Sequence, residues 1–231
     1  MSQKLTILFD LDGTLVDTAP DLMNAHNHVM DKFGFKSKDK HEIKKMVGQG
    51  ASSLISKSVT EWNKAKKEFG NVSDKNIKDE MVKEFLDYYE KNINVESKLI
   101  NGVYEFLKWS KNQNISMAVC TNKQEYLAVD LLKKIKIYNF FEYVAGSDTF
   151  DYFKPDPRHL TTVIEILQGK IDKSIMIGDS ETDSNAAKNA NIPFILLENG
   201  YTEKNVDQIA HNHLIKDFIG MEKLVSSYLN G

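Results

Sequence analysis

The chain opens on a short apolar run over residues 5–9 that breaks off at Asp10-Leu11-Asp12-Gly13. Its length and abrupt polar end predict a strand buried on both faces. From Thr18 to about Asn94 the period changes. Leu22, Ala25, Val29, Met30 and Phe33 recur at helical spacing, with Gly34 as a stop signal. Ile77, Met81, Val82, Phe85, Leu86 and Tyr89 draw a second stripe, and Gly48-Gln49-Gly50 interrupts the helical stretches. Such stripes read as core. Beyond Leu99 the pattern alternates: helix 101–112, strand 115–120, helix 123–135, a short strand 143–145, helix 156–168, strand 174–177, helix 182–190 and strand 194–197. Strands and helices alternating at these lengths predict right-handed βαβ units, hence an α/β fold with a doubly wound, mainly parallel sheet. The helical stretch is then an insertion. We expect a core domain over 1–17 and 97–231, and an all-helical cap domain over 18–96 inserted after the first strand.

Composition narrows the class without changing this picture. The 231 residues suffice for one large domain, or for a core with a smaller insert. No stretch approaches the roughly 18 apolar residues of a membrane span. The N-terminal apolar run is too short for a secretory signal and ends in acidic residues, so the expected location is cytoplasmic. A net charge of −3 gives no general attraction for nucleic acid, and Arg158 is the only arginine. Cys120 is the only cysteine, which excludes an internal disulfide and a cysteine-built zinc site. Beside Met117-Ala118-Val119 it reads as a buried apolar residue.

In an open parallel sheet, ligands bind outside the carboxyl ends of the strands. The residues following the predicted strands are Asp10 and Asp12, then Thr121 and Asn122, then Asp179 and Asp183. Four carboxylates on one rim repel each other unless a cation holds them. Oxygen ligands, with no histidine or further cysteine nearby, favour a hard ion, Mg2+ above zinc. Magnesium held by few carboxylates commonly completes its shell from a phosphate, so the expected partner is a small phosphorylated metabolite. Taken singly, each residue has a plainer explanation. Thr121, Asp179 or Ser180 could cap a helix, Lys154 could be a solvated lysine, and Asp17 or Thr18 is expected to start the first inserted helix near Pro20. His211-Asn212-His213 is expected as a surface turn entering a short strand. Gly48-Gln49-Gly50 follows helix and lacks a third glycine, so it is no dinucleotide loop. The joint occurrence of the acidic and hydroxyl residues at strand ends decides against coincidence.

The motifs themselves carry a resemblance. Asp10-Leu11-Asp12-Gly13-Thr14-Leu15-Val16-Asp17, Thr121 at a strand end, Lys154-Pro155-Asp156-Pro157, and Gly178-Asp179-Ser180-Glu181-Thr182-Asp183 occur in order. Together they resemble the four motifs of the haloacid dehalogenase superfamily, in the form carried by its phosphatases. The resemblance implies a Rossmann-like core and an aspartyl-phosphate intermediate on Asp10, with Asp12 as acid and base. It implies metal ligation by Asp10, Asp179 and the Asp12 main-chain carbonyl, with Asp183 acting through water or from behind. Lys154 would balance charge, Thr121 and Asn122 would donate to phosphoryl oxygens, and Gly13 would let the backbone approach the phosphate.

The insert resembles the family's helical cap, a lid that excludes water and reads the substrate beyond its phosphate. Val47-Gly48-Gln49-Gly50-Ala51 and Asn199-Gly200-Tyr201 resemble the phosphoglycolate phosphatase branch, which implies a small anionic phosphomonoester such as 2-phosphoglycolate. The cap has no arginine to grip a carboxylate, so Lys44, Lys45 or the amides around Gly50 would have to serve. A sugar-phosphate mutase or a pyrophosphatase of the same fold is the alternative. Haloalkanoate dehalogenation would leave Asp12 and the metal set without purpose. A non-catalytic binding protein would be expected to have lost a motif carboxylate, and here all are present. The oligomeric state, monomer or homodimer, is not legible in these patterns.

Overall fold

The structure, a computed structural model, describes residues 4–65 and 75–229. The stretch of the insert at 66–74 lies outside the described residues. Six strands form one parallel sheet: β1 (Thr6–Phe9), β4 (Ser116–Cys120), β5 (Tyr143–Ala145), β6 (Ser174–Gly178), β7 (Phe194–Leu197) and β8 (His213–Ile215). Their order is β5-β4-β1-β6-β7-β8, and every neighbouring pair runs parallel. Strand β1 is central, in register with β4 (Phe9 opposite Val119) and with β6 (Phe9 opposite Ile177). The whole of β1, β4, β6 and β7 is buried, as strands covered by helices on both faces must be.

The core-side helices are α5 (Val103–Asn112), α6 (Glu125–Lys134), α7 (Arg158–Ile166), α8 (Glu181–Asn189) and α9 (Met221–Leu229). Ile7, Phe9, Met117, Val119, Ile175 and Ile177 face one apolar cluster, while Leu8, Ala118, Cys120 and Met176 face the other. This alternation is the two-residue period of a strand dividing its side chains between two helical layers. Cys120 is a buried free thiol, which burial pushes up to about 12, as expected for an inert apolar filler.

The helical block comprises α1 (Ala19–Lys32), α2 (Lys40–Met46), α3 (Ala51–Ala65) and α4 (Lys75–Lys91). It leaves and re-enters the core through two very short antiparallel strands, β2 (Val16–Asp17) and β3 (Lys98–Leu99). The sequence pattern gave no sign of this pair. Of the two residues expected to start the first helix, the second does so, since Asp17 lies in β2 opposite Lys98. Thr18 occupies the N-cap position of α1, but its hydroxyl does not cap, because it is drawn 2.6 Å from Asp12 instead. At the other end Gly34, at φ 72°, stops α1 while Phe35 N–H bonds back to the Met30 carbonyl at 2.7 Å. The buried stripes of α1 (Leu22, Ala25, Val29, Met30) and α4 (Met81, Phe85, Tyr89) belong to a single apolar cluster that continues into the sheet. His213 opens β8, the short strand expected after the histidine-containing turn. Among the described residues no helix is long and apolar enough to cross a membrane.

Candidate active site

The central strands β4, β1 and β6 end side by side, and the direction of chain crossover reverses at β1. That is where an open α/β sheet leaves a crevice. Asp10 follows β1, Thr121 follows β4, Asp179 follows β6, and Asp183 sits in the first turn of α8. One carboxylate oxygen from each of Asp10, Asp179 and Asp183 lies within 4.8 Å of the others, and all three residues are buried. Lys154 comes from the loop before α7 and is only 2% exposed. Its ammonium lies 3.0 Å from Asp10 Oδ1 and 2.5 Å from Asp183 Oδ1.

Each carboxylate is fixed differently. Asp183 Oδ2 accepts from the main-chain N–H of Asp179 and Ser180 and from the Ser180 hydroxyl, closing a capping box at the start of α8. Asp179 accepts from the Thr14 hydroxyl on Oδ1 at 3.2 Å and from Tyr201 N–H on Oδ2 at 2.5 Å. Asp10 Oδ1 makes no hydrogen bond and has only the ion pair with Lys154. A Cβ placed on Gly13 would sit 2.1 Å from Asp179 Oδ2, and one on Gly200 would sit 2.2 Å from the Asp179 carbonyl. Both glycines are there to let Asp179 in. For Gly13, at φ 82°, the immediate demand for a missing side chain comes from Asp179 and the Tyr201 ring.

The electrostatics of this cluster are unbalanced. Burial pushes Asp10 up to about 7; Lys154 opposes the rise, and Asp183 and Asp12 add to it. Burial, then Asp10 and Asp183, raise Asp179 well above the usual carboxylate range. With all three carboxylates ionised, one ammonium would leave two negative charges uncompensated, which is what one divalent cation supplies. The donors are all oxygen, and Asp10 carries a buried oxygen free of hydrogen bonds. The residues therefore fit a hard ion such as Mg2+. Asp10 and Asp179 could hold it directly, while Asp183, committed to Lys154 and the helix start, would stand behind them.

Family comparison settles the class. The family model for haloacid dehalogenase-like hydrolase matches residues 7–197. The chain belongs to the haloacid dehalogenase-like hydrolases. The phosphoglycolate phosphatase of Mesorhizobium japonicum is 35% identical over 212 residues, covering 92% of this chain and 90% of that protein. The phosphoglycolate phosphatase of Agrobacterium fabrum is 37% identical over 224 residues, covering 95% and 93%. Among solved structures, a predicted phosphoglycolate phosphatase from Haemophilus somnus superposes with a TM-score of 0.90 at 26% identity, covering 97% of this chain and 99% of that one. Within the haloacid dehalogenase-like hydrolases, the chain is a phosphatase.

The cavity of this hydrolase, about 270 Å³, lies between the helical block and the sheet rim. Asp10, Asp12, Thr121, Asn122 and the loop Val47–Ala51, including Gly50, line it. Val82, Phe85, Leu86 and Tyr89 also line it, so the α4 stripe serves as cavity wall as well as core. The Thr121 hydroxyl accepts from Lys123 N–H at 3.2 Å, which leaves its own proton to donate. The Asn122 side chain is committed within the protein, so a hydrogen bond from this residue to a phosphoryl oxygen would come from its main-chain N–H. The side-chain amide donates to the Gly48 carbonyl at 3.0 Å and to the Lys154 carbonyl at 2.8 Å, bracing the glycine loop and the lysine. Lys44 stands over the Tyr201 ring, 5.2 Å from its centre, and Lys45 is exposed. Neither lines the cavity.

Three residues of the site went unread in the sequence. Lys123 has a side chain only 6% exposed, and its ammonium lies 3.0 Å from Asp12 Oδ2 and 3.1 Å from the Tyr89 hydroxyl. Burial works against its charge, but Asp12 and Tyr89 outweigh burial and keep it protonated. Tyr89 itself, from α4, also gives Lys123 its ring face at 4.5 Å. Tyr201 donates to Asp17 at 2.6 Å and accepts from Ala19 N–H at 2.8 Å, tying the Asp179 loop to the start of α1. The Asn199-Gly200-Tyr201 segment had pointed to this loop only through family resemblance.

Proposed function

We propose that this phosphatase hydrolyses a small anionic phosphomonoester, with 2-phosphoglycolate as the lead candidate, through a phosphoryl group carried transiently on Asp10. The observation that carries the reading is Asp10 itself, buried, ion-paired at Oδ1 with Lys154 and lining the cavity. Its carboxylate oxygen attacks the phosphorus, and the bond to the leaving oxygen breaks as Asp12 delivers a proton to that oxygen. Water then attacks the phosphorus of the phosphoryl-Asp10 group while Asp12 takes its proton, releasing phosphate and restoring Asp10. Lys154 holds Asp10 in place and opposes the charge of the phosphoryl oxygens, and Thr121 donates its hydroxyl proton to one of them. Asp10, Asp179 and the Asp12 main-chain carbonyl would hold Mg2+, which supplies charge neutralisation for phosphoryl transfer.

The block 18–96 acts in this reading as a cap over a core of 1–17 and 97–231, keeping bulk water from the phosphoryl group. A cavity of about 270 Å³ falls just below the roughly 300 Å³ at which pockets begin to take drug-sized ligands. It suits a leaving group of few atoms, in agreement with the names of the relatives. Such a protein would work in the cytoplasm.

The test is phosphate release from 2-phosphoglycolate, sugar phosphates, nucleotides and pyrophosphate, with Mg2+, with chelator, and with Asp10→Asn. We expect turnover that requires both Mg2+ and Asp10, fastest on the smallest anionic esters. Isomerised sugar phosphate without phosphate release would instead establish a mutase.

A further inference from the structure

Of the groups expected to grip the part of the substrate beyond its phosphate, Lys44 and Lys45 lie off the cavity, while the loop around Gly50 lines it and offers uncharged amides. Among the described residues lining the cavity, Lys123 is the single cation. We infer that Lys123 is the specificity-determining residue of this site, and that the substrates it selects carry a carboxylate one carbon away from the phosphate ester oxygen. The inference rests on the phosphatase reading above.

Position is the first argument. Lys123 Nζ lies 3.0 Å from Asp12 Oδ2, and Asp12 stands where the leaving oxygen must receive its proton. A group that touches Lys123 is therefore attached within a bond or two of that oxygen. Lysine offers three N–H donors. Asp12 and Tyr89 engage two, and no third partner is found among the described residues. The remaining donor is available to a ligand.

Surroundings are the second argument. Beyond the Asp10, Asp12 and Thr121 end, one side of the wall is apolar, with Leu22, Leu54, Val82, Phe85, Leu86 and Leu127. The rest, Lys123 apart, carries only uncharged polar groups such as Gln49, Ser52, Gln124 and Ser147. A carboxylate placed against the apolar side chains would lose its hydration without compensation. Beside Lys123, whose side chain is itself 6% exposed, it would gain a charge-assisted hydrogen bond. A leaving group with an anion near the ester oxygen is thus favoured, and one whose anion lies several carbons away is disfavoured. Lys154 cannot share the task, since Asp10 and Asp183 already flank it. Tyr89 keeps Lys123 in place from the α4 side, so recognition is completed only with the helical block closed on the core.

The experiment compares kcat/KM for 2-phosphoglycolate and ethyl phosphate, which differ only by a carboxylate in place of a methyl group, in wild-type, Lys123→Met and Lys123→Arg. All are measured with Mg2+, with folding checked by circular dichroism. We expect wild-type to prefer 2-phosphoglycolate at least tenfold, Lys123→Met to lose most of that preference, and Lys123→Arg to keep part of it. Both substrates will slow in Lys123→Met, because Asp12 loses a neighbour; the ratio between them is the readout. An equal fold-loss on both substrates would assign Lys123 to Asp12 alone and overturn the inference. Should Lys123→Met fail to fold, Lys123→Arg with an unaltered ratio and lower rates would overturn it too. Wild-type turnover of both esters at one rate would sink the specificity claim while leaving the phosphatase standing, whereas turnover of neither would take both down.

Discussion

Replacing Lys154 by methionine removes a buried cation and leaves its volume nearly filled. Lys154 is 2% exposed, with Asp10 at 3.0 Å on one side and Asp183 at 2.5 Å on the other. Deleting one partner of a buried ion pair costs about 3–5 kcal/mol, because the charge left behind has lost both water and counter-charge. Here two carboxylates are abandoned, with Asp179 close by, so the upper part of that range is expected at pH 8 without metal. With a urea slope of about 3 kcal/mol/M for a protein of this size, a loss of about 4 kcal/mol lowers the unfolding midpoint by just over ~1 M. The abandoned carboxylates can escape part of this by taking up protons, so the deficit should be smaller at pH 6 than at pH 8. The assay is urea unfolding followed by circular dichroism, in chelator, at both pH values. A loss under about 1 kcal/mol at pH 8, or one that does not change with pH, would refute the charge argument. Phosphatase activity should fall at least about a hundredfold, the scale on which one preorganised electrostatic group counts.

The remaining predictions concern the cradle around Asp179 and the proton balance of the acidic cluster. Gly13→Ala would drive a methyl carbon to 2.1 Å from Asp179 Oδ2, on a backbone at φ 82°. We expect a stability loss of about 1–3 kcal/mol, and a marked rise in the Mg2+ concentration needed for half-maximal activity. Unchanged metal dependence would place the need for glycine elsewhere. The folded-state pKa of Asp10, raised from 3.8 to about 7, makes the metal-free protein favour its protonated form. This stabilising contribution is present at low pH and is lost as pH rises through about 7, by roughly 4 kcal/mol at most. Mg2+ should therefore raise the melting temperature more at pH 8 than at pH 5, where it must displace protons, and Asp10→Asn should flatten that difference. Equal increments at both pH values would count against a metal at Asp10.

How far the site could be read in advance depended on how local its causes were. The strand 5–9 was legible because an apolar run cut short by acidic residues has few other uses, and β1 occupies residues 6–9 of it. Asp10, Thr121 and Asp179 were legible because each directly follows a strand, and parallel strands bring their carboxyl ends together. The helix limits drifted by one or two residues; α5, for example, begins at Val103 because Gly102 before it is left-handed at φ 81°. The pairing of β2 with β3 involves two residues on each side, too few for any period to register. That is why Asp17 looked like a helix start. The bracing contacts of the Asn122 side chain were not legible, because its partners, Gly48 and Lys154, are 74 and 32 residues away.

Tyr201 takes the same reasoning one step further. Its main-chain N–H holds Asp179, while its hydroxyl, at the far end of the same side chain, bonds Asp17 and Ala19 where the chain enters the helical block. Lys123 makes a second such link, from Asp12 to Tyr89 on α4. Asp12 and Asp179 thus each have, one contact behind them, a residue that touches the helical block. A displacement of that block would strain the bond from Ala19 N–H to Tyr201 and the bond from Lys123 to Tyr89. Lys123 would then lose Tyr89 behind it, and the Asp179 loop would lose one of its anchors. On the function proposed above, closure of the helical block would thereby be coupled to the surroundings of the acidic cluster, tying phosphoryl transfer to the exclusion of water.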